Sequence, residues 1–508
     1  MNELVMKETL SNNALTAEEL KLAQLIVSSL NLETQAAEID PTAPLYGEGM
    51  GLDSIDILEV ALAVSKAYGV KLRSDDEHNR KIFNSLIRVE EFLAEAHRLA
   101  GLIPDRQYVV NLCSDRCRFA AGLVAALLRR QVSLLPPNST DDFLNRLSLD
   151  YPGVYCLGDG TAQTSPLQTF LYPQPTGEAV PAASSLDIPE QQVATIGFTS
   201  GSTGRPKPHP KSWGALAKSG LAGFERLCLG AYRNMSVLGT VPHQHMYGLE
   251  STVLMVMQGG LKMHCGRPFF SADICAELEA LPRPRGLVTT PVHLRLLLAE
   301  ANDPPKADFL LCATAPLSPQ LAAEAEARFG APLYEIYGCT EAGQVATRRP
   351  VESHHWRPLP GVALFENEKG TWAKGGHIEK EVLLGDVIEL CGRDAFLLHG
   401  RTADLINIAG KRTSLAHLNF QLNSIEGVRD GTFVMPEEND GTVARLTAFV
   451  VAPGLASETI MNALRQRIDA AFLPRPLCFV ESLPRNETGK LPRMALDDLV
   501  ARLAAKAG

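Results

Sequence analysis

The chain has 508 residues, of which 45% are hydrophobic and 21% charged, and this ordinary globular composition predicts about two to four domains. It has no apolar run of the roughly 20 residues that span a bilayer, and the N-terminal sequence MNELVMKETLSNN lacks the basic and apolar parts of a signal peptide. We therefore expect a cytoplasmic protein with no membrane span.

The net charge of −10 is concentrated in the first hundred residues, which hold 17 acidic and 9 basic side chains. The rest of the chain holds 41 acidic and 39 basic side chains. This asymmetry predicts a separate acidic domain that docks on basic surfaces, and it argues against nucleic acid as a partner.

Helical patterns follow one another through residues 1–100. TAEELKLAQLIVSSL repeats apolar residues three and four apart, SIDILEVALAVSKAYG is a second amphipathic segment, and SLIRVEEFLAEAHRLAG ends at Gly101. We predict a four-helix bundle over residues 1–100, followed by a linker over residues 101–107.

The segment GEGMGLDSIDILEV places Asp53 and Ser54 at the start of one of these helices. A serine there is exposed, and the helix N-terminus favours the negative charge of a phosphodiester. The alternative is that Ser54 is only an N-cap. The segment resembles the modification site of acyl carrier proteins, and the resemblance implies that Ser54 receives 4′-phosphopantetheine from a phosphopantetheinyl transferase.

From Tyr108 onward, strand-like runs such as VATIGFTS and GLVTT alternate with helix-like runs such as RFAAGLVAALLRR. This alternation predicts an α/β domain with largely buried sheets over residues 108–400. ARLTAFVVAPG, ETIMNALRQRIDAAF and the basic segment LPRNETGKLPR then predict a small α+β domain over residues 401–508.

The ten cysteines of the chain show no paired CxxC pattern. Cys113 and Cys117 are a close pair, but no second pair or histidine cluster accompanies them. This spacing disfavours a zinc site, so we interpret both cysteines as reduced core residues of a cytosolic protein.

The segment TSGSTGRPK, residues 199–207, concentrates hydroxyl and backbone N–H donors beside one lysine. It is not the P-loop of NTPases, because Lys207 is followed by Pro208 and the glycines are too close together. Such a loop suits a polyphosphate that is gripped and later released, although by itself it is equally compatible with a solvent-exposed turn.

Five further segments follow in order: PHQHMYG (242–248), YGCTEAG (337–343), Gly385-Asp386, GRTADLINIAGKR (400–412) and NETGKLPR (486–493). With TSGSTGRPK they resemble the ordered motifs of the adenylate-forming superfamily, which contains acyl-CoA synthetases, luciferases and peptide-synthetase adenylation domains. The resemblance covers residues 105–508. It implies a large α/β domain, a small mobile α+β C-terminal domain, and activation of a carboxylic acid by ATP with Mg²⁺.

The resemblance also implies roles for individual residues, although each of them, taken alone, has a structural alternative. The phosphate-binding set is Thr199, Ser200, Gly201, Ser202, Thr203, Gly204 and the catalytic Lys207. Thr340 contacts the α-phosphate, Glu341 holds Mg²⁺, Tyr337 lies against adenine, and Asp386 with Arg401 binds the ribose. Lys490 approaches the attacking carboxylate as a mobile point charge, and Gly410 lines the entry of the pantetheine arm. His245 and Gly338 are assigned to the acid pocket.

The sequence departs from the family pattern at Pro208, Trp213 and Ala403. His243 and His245 lack a third metal ligand nearby, so we interpret His243 as structural. PHQHMYG offers no anion to pair with an α-ammonium group, which makes an amino acid a poor substrate.

We predict a ligase that joins a carboxylic acid to a carrier thiol, on its own carrier domain or on that of a partner. The combined segments resemble compact acyl-carrier synthetases of aryl-polyene-type pathways, which implies an aromatic acid such as a hydroxybenzoate, with a fatty acid as the alternative. Downstream partners are then ketosynthase-type or acyltransferase enzymes. The rival hypotheses are a CoA ligase and an inactive carrier scaffold.

Overall fold

The computed structural model describes residues 17–30, 34–36, 39, 89–160, 165–173, 187–199, 206–300, 303–401, 405–408, 411–435, 446–485, 491, 495–496 and 498–499. Ser54, the loop residues 200–204, Gly410 and Lys490 lie outside the described residues. So does the side chain of Arg401. Of the predicted four-helix bundle, the structure describes α1 (Ala17–Leu30), and the predicted helix that begins at Ser54 lies outside.

The first sheet has six strands in the order β4-β3-β1-β2-β5-β6. They are β1 (Tyr108–Asn111), β2 (Val132–Leu135), β3 (Tyr155–Gly158), β4 (Thr169–Leu171), β5 (Val193–Thr199) and β6 (Lys207–Ser212). All neighbours pair in parallel except β6, which returns antiparallel to β5. Helices α3 (Arg116–Leu128) and α4 (Asp141–Asp150) connect its strands.

The second sheet has seven strands in the order β13-β12-β11-β10-β9-β7-β8. They are β7 (Ser236–Gly239), β8 (Lys262–Met263), β9 (Arg285–Thr289), β10 (Phe309–Cys312), β11 (Leu333–Cys339), β12 (Gly343–Arg348) and β13 (Arg357–Pro358). The strands β7 to β11 pair in parallel with their neighbours. β12 pairs antiparallel with β11, and β13 pairs antiparallel with β12. β9 and β10 are buried along their whole length, as continuous apolar runs of parallel sheets require.

Helices surround the second sheet. They are α5 (Trp213–Arg226), α6 (the consecutive segments Met246–Gly248, Leu249–Leu254 and Met255–Gln258), α7 (Ser271–Ala280), α8 (Pro291–Glu300) and α9 (Pro319–Phe329). The middle segment of α6 is a π-helix. Within the parts of the chain that the structure describes, no helix combines the length and the apolar character needed to cross a membrane.

Helix α2 (Val89–Ala100), predicted as the last helix of the N-terminal bundle, instead packs in the core of the large domain. Ala96 and Leu99 are fully buried in the same hydrophobic cluster as α3, and Tyr172 Oη donates to Glu95 Oε1 at 2.6 Å. Residues 101–107 also lie on this domain rather than forming a free linker, since Ile103 is buried. The physical reason is that the apolar face of α2 is covered by α3.

Smaller antiparallel sheets lead to the C-terminal part. Their strands are β14 (Val362–Asn367), β15 (Gly370–Gly375), β16 (Ile378–Leu383), β17 (Asp386–Leu390) and β18 (Phe396–Arg401). The C-terminal elements are β19 (Leu405–Ile408), β20 (Lys411–Ser414), α10 (Leu415–Asn423), β21 (Asp430–Val434), β22 (Thr447–Val451), α11 (Ser457–Arg465) and β23 (Leu477–Phe479). α10, α11 and β21–β22 share one hydrophobic core.

The structure corrects the interpretation of Cys117 as a reduced residue. Cys117 forms a disulfide with Cys265, 148 residues away, whereas Cys113 is free and buried. The N-terminus of α3 is held against the chain after β8, because the Arg116 guanidinium donates to the carbonyls of His264 and Gly266, each at 2.8 Å. The two sulfurs therefore meet through the fold, which their spacing in the sequence does not reveal.

Candidate active site

The predicted phosphate loop joins the two strands at one edge of the first sheet. Thr199 is the last residue of β5 and Lys207 the first of β6, and the two are directly paired across the strands. β5 and β6 therefore form an antiparallel pair that brings Thr199 and Lys207 opposite each other. Lys207 is exposed to solvent.

The turn between β11 and β12 carries Thr340 and Glu341, and it lies against β5 of the first sheet. A Cβ atom placed on Gly197 would come within 2.9 Å of Thr340 Cγ2, so only a glycine admits this contact without a shift. Two segments about 140 residues apart, both chosen from motifs, are thus brought together at the ends of two sheets.

Two side chains of β6 connect these segments directly. His209 Nε2 lies 2.9 Å from Thr199 Oγ1 and 3.7 Å from Glu341 Oε1. Lys211 Nζ donates to the main-chain carbonyl oxygen of Glu341. Sequence reasoning missed both residues because they fall outside the motif letters, although their i, i+2 spacing on a strand already predicts a shared face.

His209 and Lys211 are the half-buried side chains of β6, a strand that is otherwise largely exposed. Burial lowers the pKa of Lys211, and the nearby Glu250 carboxylate works in the opposite direction. Burial also lowers the pKa of His209, with Lys207 and Lys211 adding to the effect and Glu341 opposing it. Both basic groups therefore lie in a region where desolvation is the dominant influence.

A second part of the site forms between β11 and β17. Tyr337 Oη donates to Asp386 Oδ2 at 2.6 Å, and the Tyr337 ring packs edge-on against Trp356 and Phe396 at centroid distances of 5.8 and 6.0 Å. Asp386 pairs in register with Arg401 on β18. The three residues assigned to adenosine by resemblance are thus neighbours in the fold.

The PHQHMYG segment forms a tight turn at the start of α6. A Cβ atom on Gly248 would lie 2.0 Å from the Pro242 carbonyl oxygen, so this position requires glycine. His245 caps the first segment of α6 and is half-buried. His243 is buried with Nε2 2.8 Å from the Cys113 carbonyl oxygen, and burial, reinforced by Arg116, holds its pKa well below the usual value. That environment suits the structural role predicted for His243.

Gly338 lies at a β-bulge where β11 pairs with β12. A Cβ atom there would come within 2.4 Å of the Gly343 carbonyl oxygen, so the close pairing of the two strands accounts for this glycine. Its backbone is exposed beside the turn that carries Thr340 and Glu341.

Glu341 and two neighbouring threonines offer oxygen atoms that could serve as metal ligands. Its carboxylate is 36% exposed, and the hydroxyl-bearing Thr199 and Thr340 stand at the neighbouring strand ends. Mg²⁺ prefers hard oxygen ligands and keeps several of its waters, so this partly solvated carboxylate fits the ion.

Residues 150–368 match the family described as AMP-binding enzyme, and residues 21–77 match the phosphopantetheine attachment site. The chain combines an AMP-binding enzyme domain with a carrier domain. The carrier match ends before α2, which agrees with the packing of that helix in the AMP-binding domain.

Proteins similar to this chain include CoA ligases. A 2-succinylbenzoate–CoA ligase of Lactococcus lactis subsp. lactis is 24% identical over 440 residues, covering 79% of this chain and 92% of the relative. A 4-coumarate–CoA ligase of Halorhodospira halophila is 28% identical over 312 residues, covering 58% of this chain and 73% of the relative.

The fold is that of ATP-bound MatB from Rhodopseudomonas palustris, with a TM-score of 0.67, 19% identity, and coverage of 88% of this chain and 99% of that chain. The o-succinylbenzoate CoA synthetase of Bacillus subtilis, in complex with its acyl-adenylate intermediate, has a TM-score of 0.64 at 20% identity and covers 80% of this chain and 91% of that chain. The AMP-binding domain therefore has the adenylate-forming fold.

Proposed function

We propose that this protein activates a carboxylic acid as an acyl-adenylate and transfers the acyl group to the phosphopantetheine thiol on Ser54 of its own carrier domain or of a partner's. The observation that carries the proposal is the Tyr337–Asp386 contact beside the Thr199–His209–Glu341 cluster, in a chain that also has a carrier domain. An adenosine-binding end and a phosphate-binding end are then provided by one AMP-binding domain.

In the first half-reaction, an oxygen of the substrate carboxylate attacks the α-phosphorus of ATP, and pyrophosphate leaves. The barrier is the repulsion between two anions, so catalysis consists of neutralising and positioning charge. Thr199, Lys207 and the loop residues 200–204 grip the departing phosphates, and Thr340 contacts the α-phosphate. Glu341 would hold Mg²⁺, which would supply positive charge to the phosphate oxygens.

Lys490 brings its ammonium group to the α-phosphate and the attacking carboxylate, while Asp386 and Arg401 hold the ribose and Tyr337 the adenine. His245 and Gly338 border the acid. In the second half-reaction Ser54 would carry the pantetheine arm and Gly410 would line its entry. The arm would supply a thiol that forms a thioester with the acyl group, with AMP as the leaving group and the thiol proton released to solvent. Loading between modules of one chain benefits from a local thiol concentration of about millimolar.

The acid is proposed to be aromatic. The two relatives act by name on 2-succinylbenzoate and 4-coumarate, both aromatic carboxylic acids, and this supports an aromatic substrate. The same names support the rival function, ligation to free CoA. Ketosynthase-type or acyltransferase enzymes are the proposed consumers of a carrier-bound product.

Acid-dependent pyrophosphate exchange with a panel of aromatic and fatty acids tests the first half-reaction. Lys490→Ala is expected to lose most of the exchange, and unchanged exchange in this variant contradicts the role of Lys490. Mass analysis of the pantetheinylated protein, with and without CoA, then separates the two thiol acceptors. Acyl mass on wild type but not on Ser54→Ala supports the carrier, whereas acyl-CoA alone supports the rival. If no acid in the panel supports exchange, the result favours the rival hypothesis of an inactive carrier scaffold.

A further inference from the structure

We propose that His209 and Lys211 are positioning residues of the adenylation site, which hold the turn bearing Thr340 and Glu341 against the phosphate-binding hairpin. The inference rests on the proposed function and extends it to two side chains outside the sequence motifs. Neither residue is assigned to the nucleotide itself.

Both side chains project from one face of β6, because residues two apart on a strand point the same way. His209 places Nε2 2.9 Å from Thr199 Oγ1 and 3.7 Å from Glu341 Oε1, and so lies between the hairpin and the carboxylate. Lys211 donates to the main-chain oxygen of the same glutamate. One strand therefore bonds the backbone of Glu341 through Lys211 and places His209 between its carboxylate and Thr199.

The far side of the turn is fixed by Glu250, which is 3% exposed on α6. Its Oε1 accepts from Ser219 Oγ at 2.7 Å and from the backbone N–H of Gln344 at 3.3 Å. Gly343, with φ +78°, has no side chain in the way, since a Cβ there would lie 2.6 Å from Glu250 Oε1. The turn between β11 and β12 is thus held by Lys211 at one end and Glu250 at the other.

The arrangement also balances the positive charge of Lys211 against the negative charge of Glu250. A buried ammonium is costly unless it is paired or hydrogen-bonded, and here the Lys211 cation is opposed by the buried Glu250 anion. Because Lys211 bonds the main-chain oxygen of Glu341, it leaves both carboxylate oxygens of that residue available. The carboxylate can then face a hydrated Mg²⁺ without competition from the nearest lysine on β6.

The test measures pyrophosphate exchange as a function of free Mg²⁺ and of ATP. Lys211→Met alone leaves the Glu250 charge buried and lowers stability, so the double variant Lys211→Met/Glu250→Gln, which removes both charges, accompanies it. We expect the double variant to melt near the wild-type temperature, to lose about 10- to 100-fold in kcat, and to need more Mg²⁺ for half-saturation. Lys218→Met removes an exposed lysine that pairs with Glu190 at 3.0 Å, and it is the matched control.

A second pair of variants separates positioning by His209 from simple packing. His209→Leu removes the polar group between Thr199 and Glu341, whereas His209→Gln keeps a polar side chain that can hydrogen-bond Thr199. We expect the leucine variant to raise the Mg²⁺ half-saturation several-fold and the glutamine variant to restore most of the loss. Equal behaviour of the two variants overturns the role of His209.

The outcomes distinguish this inference from the proposed function. If wild type exchanges pyrophosphate and the double variant matches it in kcat and Mg²⁺ half-saturation, the positioning role of Lys211 is overturned while the proposed function stands. A lower melting temperature with unchanged kinetics also overturns it, since that is a purely structural effect. If wild type shows no acid-dependent exchange, the proposed function fails first.

Discussion

At the scale of single residues, the adenosine end of the site depends on one short hydrogen bond. Tyr337 Oη donates to Asp386 Oδ2 at 2.6 Å, which orients a carboxylate proposed to accept the ribose hydroxyls. Tyr337→Phe keeps the ring packed edge-on against Trp356 and Phe396 but removes this donor. Because hydrogen bonds to charged groups contribute about 1.5–3 kcal/mol, we expect KM for ATP to rise about tenfold in pyrophosphate exchange.

The matched control is Tyr334→Phe, three residues earlier on β11. The Tyr334 ring stacks on Phe309 at a centroid distance of 5.6 Å, away from Asp386. It is expected to leave KM for ATP unchanged. If Tyr337→Phe and Tyr334→Phe both have the wild-type KM for ATP, the orienting role of the Tyr337 hydroxyl is contradicted.

The motifs selected residues that the fold brings close together, and their chemical roles stay predictions. Tyr337, Asp386, Thr340 and Glu341 were selected from motif letters, and the structure brings them to neighbouring strand ends. His209 could not be selected in that way, because its importance depends on which turn packs against β6. A contact between segments far apart in sequence is decided by the fold, and a local pattern carries no record of it.

At the scale of elements, helix α2 packs in the core of the AMP-binding domain. It therefore anchors the residues that precede it to this domain. We predict that a protein lacking residues 1–88 keeps exchange activity, whereas one lacking residues 1–100 loses stability because the face of α3 under α2 becomes exposed. Thermal melting and pyrophosphate exchange of the two truncated proteins check this. Equal stability of both would show that α2 is dispensable to the domain.

A point variant tests the same helix in the full chain. Leu99 is fully buried and Leu102, just beyond the helix, is 49% exposed. Leu99→Ala is expected to destabilise the AMP-binding domain by about 2–5 kcal/mol through lost burial and a residual cavity, and Leu102→Ala to have little effect. Urea unfolding followed by tryptophan fluorescence measures both, and similar midpoints would contradict the packing of α2 in the core.

The helices show what periodicity does and does not determine. The apolar spacing of TAEELKLAQLIVSSL predicted a helix, and α1 confirms it; the amphipathic segment ending at Gly101 likewise forms α2. An amphipathic pattern indicates that one face of a helix is buried, but it does not indicate which element covers that face. The domain to which α2 belongs could therefore not be predicted from its sequence. The Cys117–Cys265 disulfide was missed for the same reason.

At the scale of the whole molecule, polar and edge-on aromatic contacts join the C-terminal part to the AMP-binding domain. Gln320 Nε2 donates to the Ser424 carbonyl oxygen at 3.3 Å, and His354 meets Phe420 edge-on at 6.0 Å. Contacts of this kind are typical of domains that move relative to one another. They are consistent with the mobile C-terminal domain that the family resemblance implies.

The AMP-binding domain also buries several neutral histidines, and this sets its response to acid. Burial lowers the pKa of His264, His293 and His377 to about 4 each, with Arg116, Arg267 and Lys211 respectively adding to the effect. Unfolded histidine titrates near pH 6.5, so between about pH 6.5 and 4 the unfolded chain binds protons that the folded chain does not. The stability that these groups provide is therefore complete above about pH 6.5 and falls as the pH drops towards 4.

We expect each of these histidines to lower the free energy of unfolding by on the order of 3 kcal/mol when the pH falls to 4. Urea midpoints measured from pH 7.5 to 5 should therefore fall steadily. His293→Gln removes one titrating group, so its stability should depend less steeply on pH, by up to one bound proton. His355→Gln, at an exposed position, should keep the wild-type slope. Because the sign follows from burial of the neutral imidazole, a midpoint that rises on acidification would contradict the burial of these rings, and a slope shared by all three proteins would exclude His293 as a contributor.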